Sequence, residues 1–186
     1  MGYASAEHDR MIAAMLLPCV VVGIDLLAGR VRVKAGTWVS AWVRWHSLAA
    51  GKARHWRAPS TGEQGVLFSP SGDPAMGTFI PGLYGNAGTP PDNRDHVEAW
   101  YFDDGGSLVY DWQAGSYSIA LPDGSSASIA VGGSQFEVTP AQVRVTASQI
   151  TLTGEVSIDG ALSVSGDINS GGKIIDTGGN TPNHQH

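Results

Sequence analysis

The chain has 186 residues, enough for one or two domains with a real core. Only 15% are charged, against about 25% in an ordinary globular protein, while glycine supplies 25 residues, about twice its usual share. The net charge of −6 is uneven: residues 1–104 carry nine basic and ten acidic side chains, residues 105–186 two and seven, a balance that argues against nucleic acid as a partner.

The first apolar run, MIAAMLLPCVVVGIDLL, reads as neither a targeting signal nor a membrane span. The preceding ASAEHDR is acidic rather than basic, Pro18 occupies the place where a lipoprotein signal needs a small residue, and the uncharged stretch is too short to cross a bilayer. The pattern predicts a short amphipathic helix over 5–17 and a strand over 19–27. The lone Cys19 excludes an internal disulfide.

Residues 19–104 carry the signature of a small barrel. CVVVGIDLLAGRVRVKAG gives two strands around a turn at Ala28-Gly29, and WVSAWVRW follows as a third. After the Gly- and Arg-rich loop HSLAAGKARHWRAPS, strands resume at QGVLFSP and GTFIPGLY, separated by the turn SGDPAM. Five or six such strands suit an OB-fold. Trp42, Trp45 and Trp56 beside Arg44, Arg54 and Arg57 could stack on a ligand; the reading preferred is that half of these aromatics fill the barrel and the rest meet another protein. Asp103 and Asp104, with Gly105 and Gly106, read as a turn.

Beyond residue 104 the pattern becomes strictly two-residue. Ile150, Leu152, Val156, Ile158, Leu162, Val164 and Ile168 occupy even positions, Gly154, Gly160 and Gly166 fill the gaps, and every intervening odd position is polar or small. Drawn out as one strand, the 19 residues would span about 60 Å. Glycine recurs every sixth residue through Gly172 and Gly178. Such a stripe cannot bury itself, and nothing nearby in the sequence covers it. Three identical chains are the fewest that enclose it around an axis while removing sheet edges. A single-chain hexapeptide solenoid would need more coils than five glycine hexads supply.

Carried past Ile168, the even register places Asp176, His184 and His186 inward. Three chains would deliver six neutral imidazole nitrogens to one axis, a donor set for an octahedral transition metal such as iron(II) rather than for four-coordinate zinc. The alternative is a loose tail with two incidental histidines. Three Asp176 carboxylates would call for a hard cation such as calcium, unless the register slips within SGGKIID and turns them outward.

Four stretches carry a family resemblance: GRVRVKAG, RAPSTGEQGVLFSPSGDPAMGTFIPGLYG, DGGSLVYDWQAGSYSIALPDGS and GGKIIDTGGNTPNHQH. Over nearly its whole length the chain resembles the baseplate assembly protein V family, the central spike of contractile phage tails and R-type bacteriocins. The resemblance implies an all-β homotrimer: an N-terminal OB-fold barrel followed by an intertwined trimeric β-helix (a β-prism) ending in a metal-capped tip. It implies iron held by His184 and His186 from three chains, tail hub and tube proteins as partners, and passage through the target bacterial outer membrane when the sheath contracts. The expected location is a phage virion or bacteriocin particle, assembled in the bacterial cytoplasm and released extracellularly. The expected divisions are an N-terminal arm at 1–18, the barrel at 19–104, the rod at 105–178 and the apex at 179–186. No enzymatic activity is expected. The rivals are a trimeric tailspike that depolymerises polysaccharide and a ligand-binding OB module. The first wants two carboxylates across a groove, whereas Asp103 and Asp104 are adjacent.

Overall fold

A computed structural model describes residues 3–173 and residue 175. Helix α1 (Tyr3–Ala14) opens the chain, and strand β1 (Leu16–Asp25) follows after one residue. The helix stops earlier, and the strand starts earlier, than the sequence pattern predicts. The reason is the ladder: β1 pairs with β5 (Gln64–Phe68) all the way back to Leu16↔Phe68, so backbone bonding extends the strand past the apolar alternation. Its other neighbour, β2 (Arg30–Ala35), joins only from Val20 onward. Pro18 therefore sits where β1 lacks a partner on one side, the position in which a sheet tolerates a missing N–H. The expected arm–barrel division at residue 18 falls inside this strand.

Strand β2 also pairs with β3 (Trp38–Val39) and with β4 (Val43–Trp45), and β6 (Thr78–Leu83) closes the set by pairing with β4 and β5. The circuit β1–β5–β6–β4–β2–β1 is a five-stranded closed barrel with β3 appended, the OB arrangement expected. Alternation in β2 sends Val31 and Val33 inward and Arg30, Arg32 and Lys34 outward. Val31, Val33, Val21, Val43, Leu67, Phe79 and Cys19 make the core. WVSAWVRW is not one strand but two. Ser40, fully buried, interrupts it: its hydroxyl accepts from Val33 N (2.9 Å) and donates to Ala41 O (2.7 Å), replacing ladder bonds and turning the chain. SGDPAM forms two short 3₁₀ turns, with the Asp73 carboxylate accepting from Ala75 N at 2.9 Å.

The rest of this first compact unit, residues 1–122, is a three-stranded antiparallel meander of β7 (Val97–Tyr101), β8 (Ser107–Asp111) and β9 (Ser116–Ala120). Asp103 and Asp104 lie in the β7–β8 turn, as expected, with Gly105 N donating to Phe102 O and Gly106 N to Asp104 Oδ1. The division expected at 104/105 cuts between two fully paired strands; the compact units divide at 122/123 instead. β7 escapes the alternation pattern because VEAWY mixes Glu and Ala among its apolar residues. The second unit begins with another meander, β10 (Ala127–Val131), β11 (Ser134–Val138) and β12 (Val143–Thr146), after which the described residues carry no strand assignment.

Candidate functional site: unpartnered apolar faces

Each meander presents one largely apolar face that its own chain leaves mostly open, although His55 meets Trp100 edge-on at 6.2 Å. In β7–β9, the cross-strand rows Trp100–Leu108–Ile119 and Glu98–Tyr110–Tyr117 lie on the same side, and the Tyr110 and Tyr117 rings sit 6.4 Å apart. In β10–β12, the rows are Ile129–Phe136–Val145 and Ala127–Val138–Val143. Most of these side chains are exposed in the single chain. Contiguous apolar surface of this size marks an association face rather than a solvated one.

The predicted stripe lies downstream, in chain with no strand assignment that is interrupted by bends. Ile150, Leu152, Val156, Ile158, Leu162, Val164 and Ile168 are between 47% and 72% exposed. Bends fall at Gly154, at Asp159-Gly160, at Ser165-Gly166 and at Gly171-Gly172, close to every sixth residue. Gly154 (φ 129°) and Gly160 (φ 144°) adopt backbone angles that side-chain-bearing residues avoid, with open space where a Cβ would stand. The glycines are there for the bend. Full burial of one such apolar side chain is worth roughly 1.5–3 kcal/mol, and none of the seven obtains it within one chain. All seven residues of the predicted stripe are thus left exposed by the single chain, as are most side chains of the two meander faces, whose alternating sequence already hinted at them.

Asp176, His184 and His186 lie outside the described residues. Among the described residues no group of three His, Cys, Asp or Glu side chains is placed to hold a metal ion.

The barrel aromatics divide. Trp45 packs against the core and meets Trp56 edge-on at 5.4 Å, while Trp42 and Trp56 remain exposed. The cation over Trp42 is Arg32, 5.8 Å from the ring centroid, not one of the arginines the sequence suggested. Cys19 is buried with its Sγ directed at Gly65 O (3.8 Å), and burial pushes its thiol up to about 11, so it is no nucleophile at neutral pH. Glu63 is pulled by two opposing effects. Desolvation raises its pKa, but hydrogen bonds from Arg57 and from the Ser60 backbone outweigh that and hold it below the usual value, ionised.

One cluster went unnoticed in the sequence. Arg94 grips Asp92 through Nη2 (2.6 Å) and Nε (3.0 Å) and reaches Asp111 at 3.3 Å, while the Tyr101 hydroxyl donates to Asp92 at 3.0 Å. Asp92 is held well below the usual carboxylate range, chiefly by Arg94. Every member has a structural partner, so the cluster ties the loop before β7 to β7 and β8 and leaves no free acid or base.

Residues 17–84 match the family model described as the type VI secretion system/phage-baseplate injector OB domain. Residues 98–170 match the model described as Gp138, beta helical trimerization domain. The Spike protein of Escherichia phage P2 is 25% identical to this chain over 193 residues, which take in 97% of this chain and 90% of that protein.

Proposed function

We propose that this chain, which joins a phage-baseplate injector OB domain to a β-helical trimerization domain, is the central spike of a contractile-tail baseplate. The observation that carries this reading is the row of seven apolar side chains at a two-residue period, bent at glycines and uncovered in the single chain, inside the segment that matches the trimerization family. Three copies of the chain would enclose the row. The product is a stiff β rod without sheet edges, suited to a mechanical task that needs no catalysis. The spike sits on the axis of the tail, beneath hub and tube proteins, and is driven through the outer membrane of the target cell when the sheath contracts.

In this reading His184 and His186 from three chains hold one iron ion at the apex, and Asp176 is a candidate position for a hard cation on the axis. The donor chemistry supports the iron: neutral imidazoles at two-residue spacing, contributed threefold, supply six nitrogens. When bound, the metal would cross-link the three chain ends.

Replacing both Val156 and Val164 by Asp would put six carboxylates inside the tube, where an unpaired charge costs several kcal/mol. Light scattering should then report loss of the trimer. A double variant that stays a heat-stable trimer would overturn the enclosed stripe. Electron microscopy of particles carrying a labelled chain should place the label on the tail axis at its distal end. A label on peripheral fibres would overturn the spike reading while leaving the trimer intact.

A further inference from the structure

The outward face of β2 and β4 is basic in an acidic protein. Arg30, Arg32 and Lys34 alternate along β2, and Arg44 stands directly opposite Arg30 on β4. Like charges at cross-strand partner positions destabilise a sheet. None of the four forms an ion pair among the described residues, whereas the arginines at 10, 57 and 94 all do. No acidic side chain among the described residues neutralises this cluster.

The same face holds an exposed indole in a fixed pose. Trp42 is 42% exposed. Its carbonyl accepts from Arg30 Nη1 at 3.0 Å, and Arg32, anchored by its Nε to Ser40 O at 3.1 Å, lies over its ring, 5.8 Å from the centroid. Beside it lies a cleft of about 290 Å³ lined by Arg30, Trp42, Arg44 and Met76. Tethering one edge of two guanidiniums and one face of an indole pre-organises the groups that most often dominate protein interfaces.

We infer that this face docks a carboxylate-rich surface of a neighbouring, different protein of the same particle, with Arg30 and Arg44 pairing its acids and Trp42 filling its centre. The inference rests on the spike reading above. Charge complementarity selects the occupant. Apposing the same face of a second copy would set like charges against each other. Four cations on a chain of net charge −6 also fall short of the broad basic surface that nucleic acid requires. Planar guanidiniums suit bidentate carboxylate recognition, and close pairs of this kind discriminate strongly between partners.

The test is a full-length R30E/R44E variant, with R30Q/R44Q as the milder form, expressed in place of the parent during particle assembly. Expected are an intact, cooperatively melting trimer by light scattering and thermal unfolding, and at least tenfold less spike in purified particles for the reversal, with a smaller loss for the glutamines. Undiminished incorporation overturns the proposal. Loss of the trimer overturns it too, assigning the face to contact between copies. Fluorescence anisotropy with a labelled single-stranded DNA 30-mer closes the remaining route: tight binding at physiological salt that the variants lose would make the face a nucleic-acid site. If the parent chain itself is absent from particles, the spike reading fails rather than the docking face.

Discussion

Two residues of the barrel show how differently buried positions respond to one added or removed atom. Ser69 is fully buried, its backbone N–H donates to Met15 O at 2.8 Å, and its hydroxyl has no partner among the described residues. An unsatisfied buried hydroxyl carries a desolvation penalty of about 1–3 kcal/mol. Ser69→Ala removes that penalty and keeps the backbone bond. Its expected effect is a rise of about 2–4 °C in melting temperature, equivalent to ~1 kcal/mol. A clear fall would mean that the hydroxyl is satisfied after all. Gly65 is the opposite case. A Cβ there would lie 2.5 Å from the Phe79 ring and closer still to Ile80 O. Gly65→Ala should therefore lower stability by about 1–3 kcal/mol through overpacking, read as a drop in denaturant midpoint at unchanged slope.

At the scale of elements, the Asp92–Arg94–Asp111 cluster acts as a clamp between a loop and a sheet. Because the fold depresses the Asp92 pKa below its ordinary 3.8, the clamp's contribution is complete above that pH and is lost as acid protonates the folded carboxylate. Asp92→Asn should lower the melting temperature near neutral pH. It should also flatten the decline below pH 3.8 relative to the parent, and parallel pH profiles of parent and variant would exclude the clamp. No sequence pattern announced this cluster, because its members are brought together by the β7–β8 hairpin rather than by spacing. The β1–β2 hairpin, by contrast, was legible from alternating valines around a glycine turn, and the even-numbered stripe was legible as a pattern whose side chains one chain leaves exposed. What failed were boundaries. Pairing with β5 lengthened β1 backward past Pro18, and the Ser40 hydroxyl split one apparent strand into β3 and β4. Both are tertiary effects that leave no local periodicity.

For the whole molecule, the two compact units differ in how they reach stability. The barrel buries its own core of valines with Leu67 and Phe79, so it has the means to fold within one chain. The stripe after Gln149 is exposed in the single chain, and in the proposed trimer its burial would come from the other two copies. The sequence TGGNTPNHQH contains no large apolar side chain, and in the function proposed above its histidines would supply a different bond, to a metal. A ligating imidazole must be neutral. Iron held by His184 and His186 should therefore leave as pH falls through about 6 or below, while the rod, held by apolar burial, persists to lower pH. The order of events is the prediction: metal first, trimer later. Replacing both histidines by Ala should remove the iron at every pH and leave the trimer folded, because the stripe that holds it lies upstream. Elemental analysis of parent and variant, alongside light scattering and thermal unfolding across the same pH series, separates the two steps. A double variant that keeps its iron places the metal elsewhere. One that loses iron and trimer together makes the metal a requirement for assembly rather than a clip on its end.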